Sequence, residues 1–194
     1  MNFLAHVYLS GNDQEIATGN LIADRVKGKE IENYAPQIQK GILLHRKIDT
    51  FTDTHPMVRS CREELFPAFR HYSGVIVDMY FDHFLATSWH LFHHQPLADF
   101  SKIFFKALHQ NAVSFPLKIN KLVDALIRYN WFQYYETITG LEQILLQMEK
   151  RSSPSSNLAA SILNLQENYD YFQHQFFSFM EEAIHFSKEE LKRL

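Results

Sequence analysis

The segment that most constrains this chain is an apolar stretch, residues 73–92, with two carboxylates in its middle, Asp78 and Asp82. Apolar residues occupy nearly every side of a helix drawn through it, so the helix is predicted to be buried. Residues four apart lie on one face, and the two aspartates would therefore be desolvated like charges. A bound cation is the simplest way to offset both costs. The pattern thus favours a buried helix that presents carboxylates to a metal ion.

The same arrangement occurs upstream. In a helix predicted over residues 36–50, His45 and Asp49 are four apart and share the apolar stripe. Asp24 lies on the apolar face of a helix predicted over residues 12–27, and His6 follows an apolar run. Imidazole and carboxylate groups suit Mn, Fe, Zn or Mg.

Each residue also has a purely structural interpretation. A lone buried histidine is usually satisfied by a hydrogen bond, and Asp49 or Asp78 could pair with Arg46 or Arg70 in a salt bridge. The joint pattern favours a metal centre, because seven such residues fall on apolar helical faces in the first half of the chain. They are His6, Asp24, His45, Asp49, Asp78, Asp82 and His83.

Composition bounds the class of protein. The 194 residues include 46% hydrophobic residues, 17 Phe and 9 Tyr, but only 6 Gly and 6 Pro, which favours an all-α fold in a single domain over residues 1–194. A single cysteine, Cys61, indicates a reducing compartment, and the cytoplasm is predicted. No apolar run is long enough to span a membrane, and a net charge of −3 argues against nucleic-acid binding. No prediction of oligomeric state follows.

Helix signals continue along the chain. A capping pattern at residues 12–15 opens the first predicted helix. Residues 51–56, which end at Pro56, are predicted to be a loop. The remaining helices are predicted over residues 57–70, between Pro96 and Pro116, and over 117–131, 136–150 and 158 to beyond 184, with a polar loop at 151–157.

Four segments carry a resemblance to a known family. They are MNFLAH at 1–6, GNLIADRVKG at 19–28, GILLHRKIDTFTDTHP at 41–56 and SGVIVDMYFDHFLATSW at 73–89. In order and spacing they resemble the acyl carrier protein phosphodiesterase family, whose members remove 4′-phosphopantetheine from holo-acyl carrier protein and need a divalent cation, typically Mn²⁺. The resemblance also implies an HD-domain-like helical bundle. The pair Asp82-His83 departs from it, since it reverses the His-Asp order of the HD motif.

The chemistry and placement of individual residues, taken with this resemblance, predict their roles. Asp24, His45, Asp78 and Asp82 are predicted to hold the metal, which is Mn²⁺ with Mg²⁺ or Fe²⁺ as alternatives. Asp49 and His6 are the next candidates, as ligands or as orienting residues. The predicted catalytic residues are Asp24, Asp49, Asp53, His55 and Arg46.

Within that set, Arg46 would clamp the phosphate, although an ion pair with Asp49 or Asp53 is an equal alternative. Asp53 or His55, in the predicted loop, would protonate the departing serine oxygen. The alternative for Asp53 is a turn-stabilising hydrogen bond.

The predicted partner is holo-acyl carrier protein, a strongly acidic protein that needs a positive docking surface. The candidate cations are Lys27, Arg46, Arg59, Arg62 and Arg70. Their alternative role is that of ordinary solvated charges. Two other functions stay open: an HD-type hydrolase of a nucleotide or other small phosphoester, and a non-catalytic helical binding module.

Overall fold

The computed structural model describes residues 1–112, 115–151 and 156–194, and these form helices and short connections without a strand. This confirms the all-α prediction. The α-helices are α1 (Phe3–Leu9), α2 (Gln14–Ile22), α3 (Pro36–Thr54), α4 (Pro56–Phe69), α5 (Ser73–Thr87), α6 (Trp89–Phe92), α7 (Leu97–Ala112), α8 (Leu117–Tyr129), α9 (Trp131–Tyr134), α10 (Ile138–Glu149), α11 (Ser161–Glu167) and α12 (Tyr169–Arg193). Short 3₁₀ turns cover Ala23–Arg25, Gly28–Asn33, Arg70–Tyr72 and Leu158–Ala160. None of the described helices is long and apolar enough to cross a membrane.

Several boundaries differ from the predictions. Helix α1 was predicted only as an apolar run, and α2 ends at Ile22, where a 3₁₀ turn places Asp24 beyond the α-helix. The apolar segment over 73–92 is broken at Ser88, and the last predicted helix is broken at Asn168. The loop predicted over 151–157 lies largely outside the described residues.

The predicted loop at residues 51–56 is wrong. Helix α3 continues to Thr54, and His55 alone interrupts the chain before α4 begins at Pro56. Proline restricts only the residue directly before it, so the preceding turn is free to stay helical. As a result Thr52 and Asp53 extend the helical face that carries His45 and Asp49.

Helix α5 lies at the centre of the core, as its sequence predicted. Phe81 and Phe84 are buried, and their rings contact Phe176 of α12 with centroids 5.6 and 5.8 Å apart. The hydroxyl of buried Tyr80 donates to the carbonyl of Ser161, 2.5 Å away. These contacts fix α5 as the support behind the N-terminal helices.

Two glycines bring α2 and α3 into backbone contact. A Cβ atom on Gly19 would lie 2.0 Å from the carbonyl oxygen of Ile38, and one on Gly41 would lie 2.0 Å from that of Ile16. Any other residue would force the helices apart. The close approach sets side chains of α2, including Asn20, directly against His45 of α3.

Alanine at Gly41 is expected to destabilise the fold, because its methyl group would overlap backbone atoms that cannot move separately from α2. We expect a loss of about 3 kcal/mol in the free energy of unfolding, measured with urea. Gly74→Ala is the matched control: it also lies in a helix, but its added Cβ would meet only the flexible side chain of Arg62, whose nearest atom, Nε, is 3.5 Å away. Equal stability of the two variants would contradict the backbone contact.

Candidate metal centre

Two helices bring two imidazoles and a carboxylate together. His6 comes from α1, and His45 and Asp49 come from α3. The Nε2 atom of His6 lies 3.3 Å from Asp49 Oδ1, and that of His45 lies 3.1 Å from Asp49 Oδ2. The two rings stack with centroids 4.1 Å apart, and one potential ligand atom from each of the three residues lies within 4.8 Å of the others.

Asn20 holds both rings from behind. Its Oδ1 atom accepts from Nδ1 of His6 at 2.8 Å and from Nδ1 of His45 at 3.0 Å. Its Nδ2 atom donates to the carbonyl of His6 and to Ser10 Oγ, both at 2.9 Å. A flipped amide would set its oxygen against the His6 carbonyl, so the network itself fixes which atom faces the rings.

This orientation determines the tautomer of each histidine. With Nδ1–H donated to Asn20, a neutral ring has a lone pair on Nε2, directed at the Asp49 carboxylate. Two lone pairs facing a carboxylate repel one another unless a cation lies between them. The donor set therefore fits a divalent metal ion, and without one a proton must take its place.

The pKa values agree with that requirement. Burial and the neighbouring His45 lower the pKa of His6 to about 4, so its ring is neutral at pH 7. Burial also acts against a charge on His45, but hydrogen bonds to Asp24 and Asp49 outweigh it and raise the pKa to about 9. Although burial acts the other way, the two histidines hold the pKa of Asp49 well below its usual range.

The cluster opens into a pocket of about 270 Å³. Four carboxylates line it: Asp24, Asp49, Asp53 and Asp78. An anionic substrate would be repelled by such a lining, and a bound divalent cation would reverse the local sign of charge. The pocket is therefore suited to bind a metal ion, and it could accept an anion only after that ion is bound.

Asp24 and Asp78 lie in this pocket but outside the tight cluster. The Oδ1 atom of Asp24 is 3.2 Å from His45 Nε2, and its side chain is 73% exposed. The hydrogen bond from His45 lowers the pKa of Asp24 despite an opposing effect of burial. Asp78 accepts from the terminal amino group of Met1 at 2.7 Å.

Asp82 does not join the other predicted metal ligands. It is fully buried, does not line the pocket, and accepts hydrogen bonds from the backbone N–H groups of Asn2, Leu4 and Ala5 at 3.2, 2.8 and 3.3 Å. Burial raises its pKa to about 7, against the opposing effect of these donors and the chain terminus. The carboxylate thus caps α1 from α5, a role that satisfies a buried charge without a metal.

Asp82→Ala is expected to lower the free energy of unfolding by about 3 kcal/mol, because three N–H groups lose their partner. Asp13→Ala is the control, since Asp13 caps α2 through Glu15 and Ile16 nearer the surface and should cost about 1 kcal/mol. Chemical denaturation measures both. A stable Asp82→Ala protein that no longer binds metal would restore the ligand role.

His55 also differs from its prediction. Its Nδ1 atom accepts from the Met57 N–H at 3.3 Å, which caps α4, and its Nε2 atom lies 3.3 Å from Glu182 Oε2. Its ring packs on Phe51 and Phe179 and does not line the pocket. It faces α12, so it is not placed to protonate a leaving group in the pocket.

Asp53 does line the pocket, and it does so from helix α3 instead of from a turn. Its Oδ1 atom accepts from Nη2 of Arg62 at 2.7 Å. Arg46 does not line the pocket; its Nη2 atom lies 3.5 Å from the carbonyl of Val26. Arg46 therefore lies outside the pocket in which it was predicted to clamp the phosphate.

The other predicted docking cations differ in how far they are engaged. Arg59 pairs with Glu63 at 2.9 Å, and Arg70 lies 5.7 Å from the centre of the Phe66 ring. Lys27 is exposed at the start of a 3₁₀ turn.

His83 is outside the pocket, and both of its ring nitrogens have hydrogen-bond partners. Nδ1 lies 2.7 Å from the Tyr135 carbonyl, and Nε2 lies 3.1 Å from the Tyr169 hydroxyl.

Sequence reasoning missed the roles of Asn20 and Thr52. The sequence alone predicted no role for Asn20. The feature that could have identified Asn20 is a polar amide within a run of buried residues, since residues 16–22 are all buried. Thr52 was assigned to a loop, although it belongs to α3 and lines the pocket.

The fold and pocket define a helical protein with a cluster of two histidines and one carboxylate, groups that could hold a metal ion. The chain belongs to the acyl carrier protein phosphodiesterase family, whose model matches residues 1–183. A relative of that name from Yersinia pestis is 31% identical over 180 residues, 92% of this chain and 93% of its own length. Relatives of the same name from Serratia proteamaculans and Pectobacterium atrosepticum are 29% and 30% identical over 97% of this chain and 98% of their own lengths. No solved structure matches the chain.

Proposed function

We propose that this protein hydrolyses the phosphodiester between the serine of acyl carrier protein and 4′-phosphopantetheine, converting holo-protein to apo-protein with a divalent cation. The observation that carries the proposal is the convergence of His6, His45 and Asp49 in a carboxylate-lined pocket. Relatives along nearly the whole chain bear the name acyl carrier protein phosphodiesterase, which supports the substrate.

His6, His45 and Asp49 would hold the cation, and Asp24 and Asp78 are the remaining ligand candidates in the pocket. Two nitrogens and one oxygen form a softer set than the three carboxylates and one imidazole that the sequence predicted. Such a set accepts Mn²⁺ and Fe²⁺ readily, and Mn²⁺ stays our proposal. When bound, the cation supplies neutralisation of the phosphoryl charge and a lowered pKa for its water.

The surrounding residues orient the two histidines and transfer protons. Asn20 keeps both Nε2 atoms directed into the pocket. Asp24, ionised and exposed beside His45, is positioned to accept a proton from the attacking water. The proton that Asp24 takes up is then available for the departing serine oxygen, and Asp53, held by Arg62 in the pocket lining, is our candidate to relay it.

The test is mass spectrometry of holo-acyl carrier protein after incubation with the enzyme and Mn²⁺. We expect a product lighter by the phosphopantetheine group, no reaction after exhaustive chelation, and recovery when Mn²⁺ or Mg²⁺ is added back. A nucleotide panel under the same conditions is the comparison. Release of phosphate from a nucleotide with intact holo-protein would replace this function with that of a nucleotide hydrolase.

We further propose that Lys27, Arg46, Arg59, Arg62 and Arg70 contribute to docking of the acidic carrier protein. Lys27 and Arg46 are exposed, whereas Nη2 of Arg62 already donates to Asp53. Such charges act mainly on association, and added salt is therefore expected to raise KM with little change in kcat. A KM independent of salt would exclude this surface.

A further inference from the structure

Thr52 carries a buried hydroxyl group without a hydrogen-bond partner. The residue is 3% exposed, and its Oγ1 atom has no partner among the described residues. A buried hydroxyl left unpaired costs about 1–3 kcal/mol, so such groups are rare unless something other than the fold uses them.

The same helix shows that this state is avoidable. Thr50 and Thr54 both donate to the carbonyl four residues earlier, in each case at 2.9 Å. Thr18 in α2 and Thr87 in α5 make the same bond at 2.7 and 3.0 Å. Thr52 has an equivalent carbonyl at Ile48 but makes no bond to it. Its helix therefore does not impose the unpaired hydroxyl.

The position of Thr52 links it to the metal centre. It lies one turn beyond Asp49 and two turns beyond His45 on α3, and its side chain lines the same pocket. Four of the residues that line this pocket are aspartates, whose carboxylates only accept hydrogen bonds when ionised. A phosphoryl group in the pocket needs donors, and a hydroxyl is a donor without a charge of its own. Because the Oγ1 atom is buried, contact with a ligand in the pocket requires rotation about χ1 to another staggered rotamer.

We propose that the Thr52 hydroxyl donates a hydrogen bond to a non-bridging oxygen of the substrate phosphate. The inference rests on the proposed function for the identity of the substrate, but not for the ability to bind a phosphoryl oxygen. It makes Thr52 a substrate-binding residue on the third turn of the helical face that carries His45 and Asp49.

The test compares Thr52→Val with Thr52→Ser. Valine keeps the shape of threonine and removes the hydroxyl, whereas serine keeps the hydroxyl. We expect valine to lower kcat/KM for holo-acyl carrier protein about 30-fold and serine to stay within about threefold of wild type. Thermal unfolding of the metal-free proteins should show Thr52→Val as stable as wild type or more so, because an unpaired buried group has been removed.

A second measurement does not depend on turnover. With Mn²⁺ present, the dissociation constant of inorganic phosphate, followed by the shift in melting temperature, should rise about tenfold in Thr52→Val and return in Thr52→Ser. Thr50→Val is the matched control and should leave phosphate binding unchanged.

The outcomes separate the two proposals. If Thr52→Val weakens phosphate binding while wild type leaves holo-acyl carrier protein intact, the inference stands and the proposed function fails. If wild type cleaves the substrate and Thr52→Val equals it in both kcat/KM and phosphate binding, the inference is overturned and the function stands. A loss of stability in Thr52→Val comparable to its loss of activity would also overturn it, because the hydroxyl would then serve the fold.

Discussion

Replacement of His45 by alanine is expected to lower turnover of holo-acyl carrier protein by at least about a thousandfold, equal to about 4 kcal/mol of lost transition-state stabilisation. The ring lies between Asp24 and Asp49 and is held by Asn20, so its loss leaves one imidazole and mutually repelling carboxylates. Metal content after gel filtration should fall from stoichiometric to near zero. Both quantities are measured on the same preparation.

His55→Ala is the control for that experiment. This histidine is also buried and was also predicted to act in catalysis, yet it caps α4 and faces α12. We expect its turnover to stay within a few-fold of wild type and its stability to fall by about 1 kcal/mol. Full activity of His45→Ala, or loss of metal in His55→Ala alone, would mean that the centre has been misplaced.

The second large effect is a dependence of metal affinity on pH. His6 has a pKa of about 4 and enters the site neutral, whereas His45 has a pKa of about 9 and must lose its proton to bind a cation. Each pH unit below about 9 should therefore weaken binding about tenfold, a hundredfold between pH 9 and pH 7. Titration calorimetry in buffers of different ionisation enthalpy should find about one proton released per metal at pH 7.

The stability of the metal-free protein should also depend on the protonation of His45. The pKa of His45 is raised above its ordinary value of 6.5, so the folded state binds the proton more tightly than the unfolded state. This stabilisation is fully present below about pH 6.5 and is lost as pH rises through about 9. Metal affinity that is flat from pH 7 to pH 9, with no proton release, would contradict the assigned protonation states.

The sequence alone was sufficient to predict that His45 and Asp49, which belong to one helix, share a face. His45 and Asp49 are four residues apart on an apolar stripe, and helix periodicity alone sets them on one face. Periodicity also predicted the burial of α5. Across helices the same reasoning failed for Asp82, because whether a buried carboxylate meets a cation or the N–H groups of a neighbouring helix depends on tertiary packing.

The remaining errors have similar causes. Asn20 joins two helices through one amide oxygen, and no spacing within a single helix shows a shared acceptor. His55 was misassigned because Pro56 was taken to end α3 several residues early. The HD-domain-like relationship stays a prediction, since no solved structure matches the chain.

The cap that Asp82 provides has a consequence for the order in which this protein matures. His6 is synthesised before Asp82, whose carboxylate caps the helix that carries His6 and follows Leu4 by 78 residues along the chain. At roughly 5–20 residues per second, that carboxylate follows after several seconds of further synthesis. A nascent chain shorter than this holds His45 and Asp49 without a fixed His6. Under the proposed function, we therefore expect a cation to bind only after Asp82 has been synthesised, and chains that stall before Asp82 should bind none.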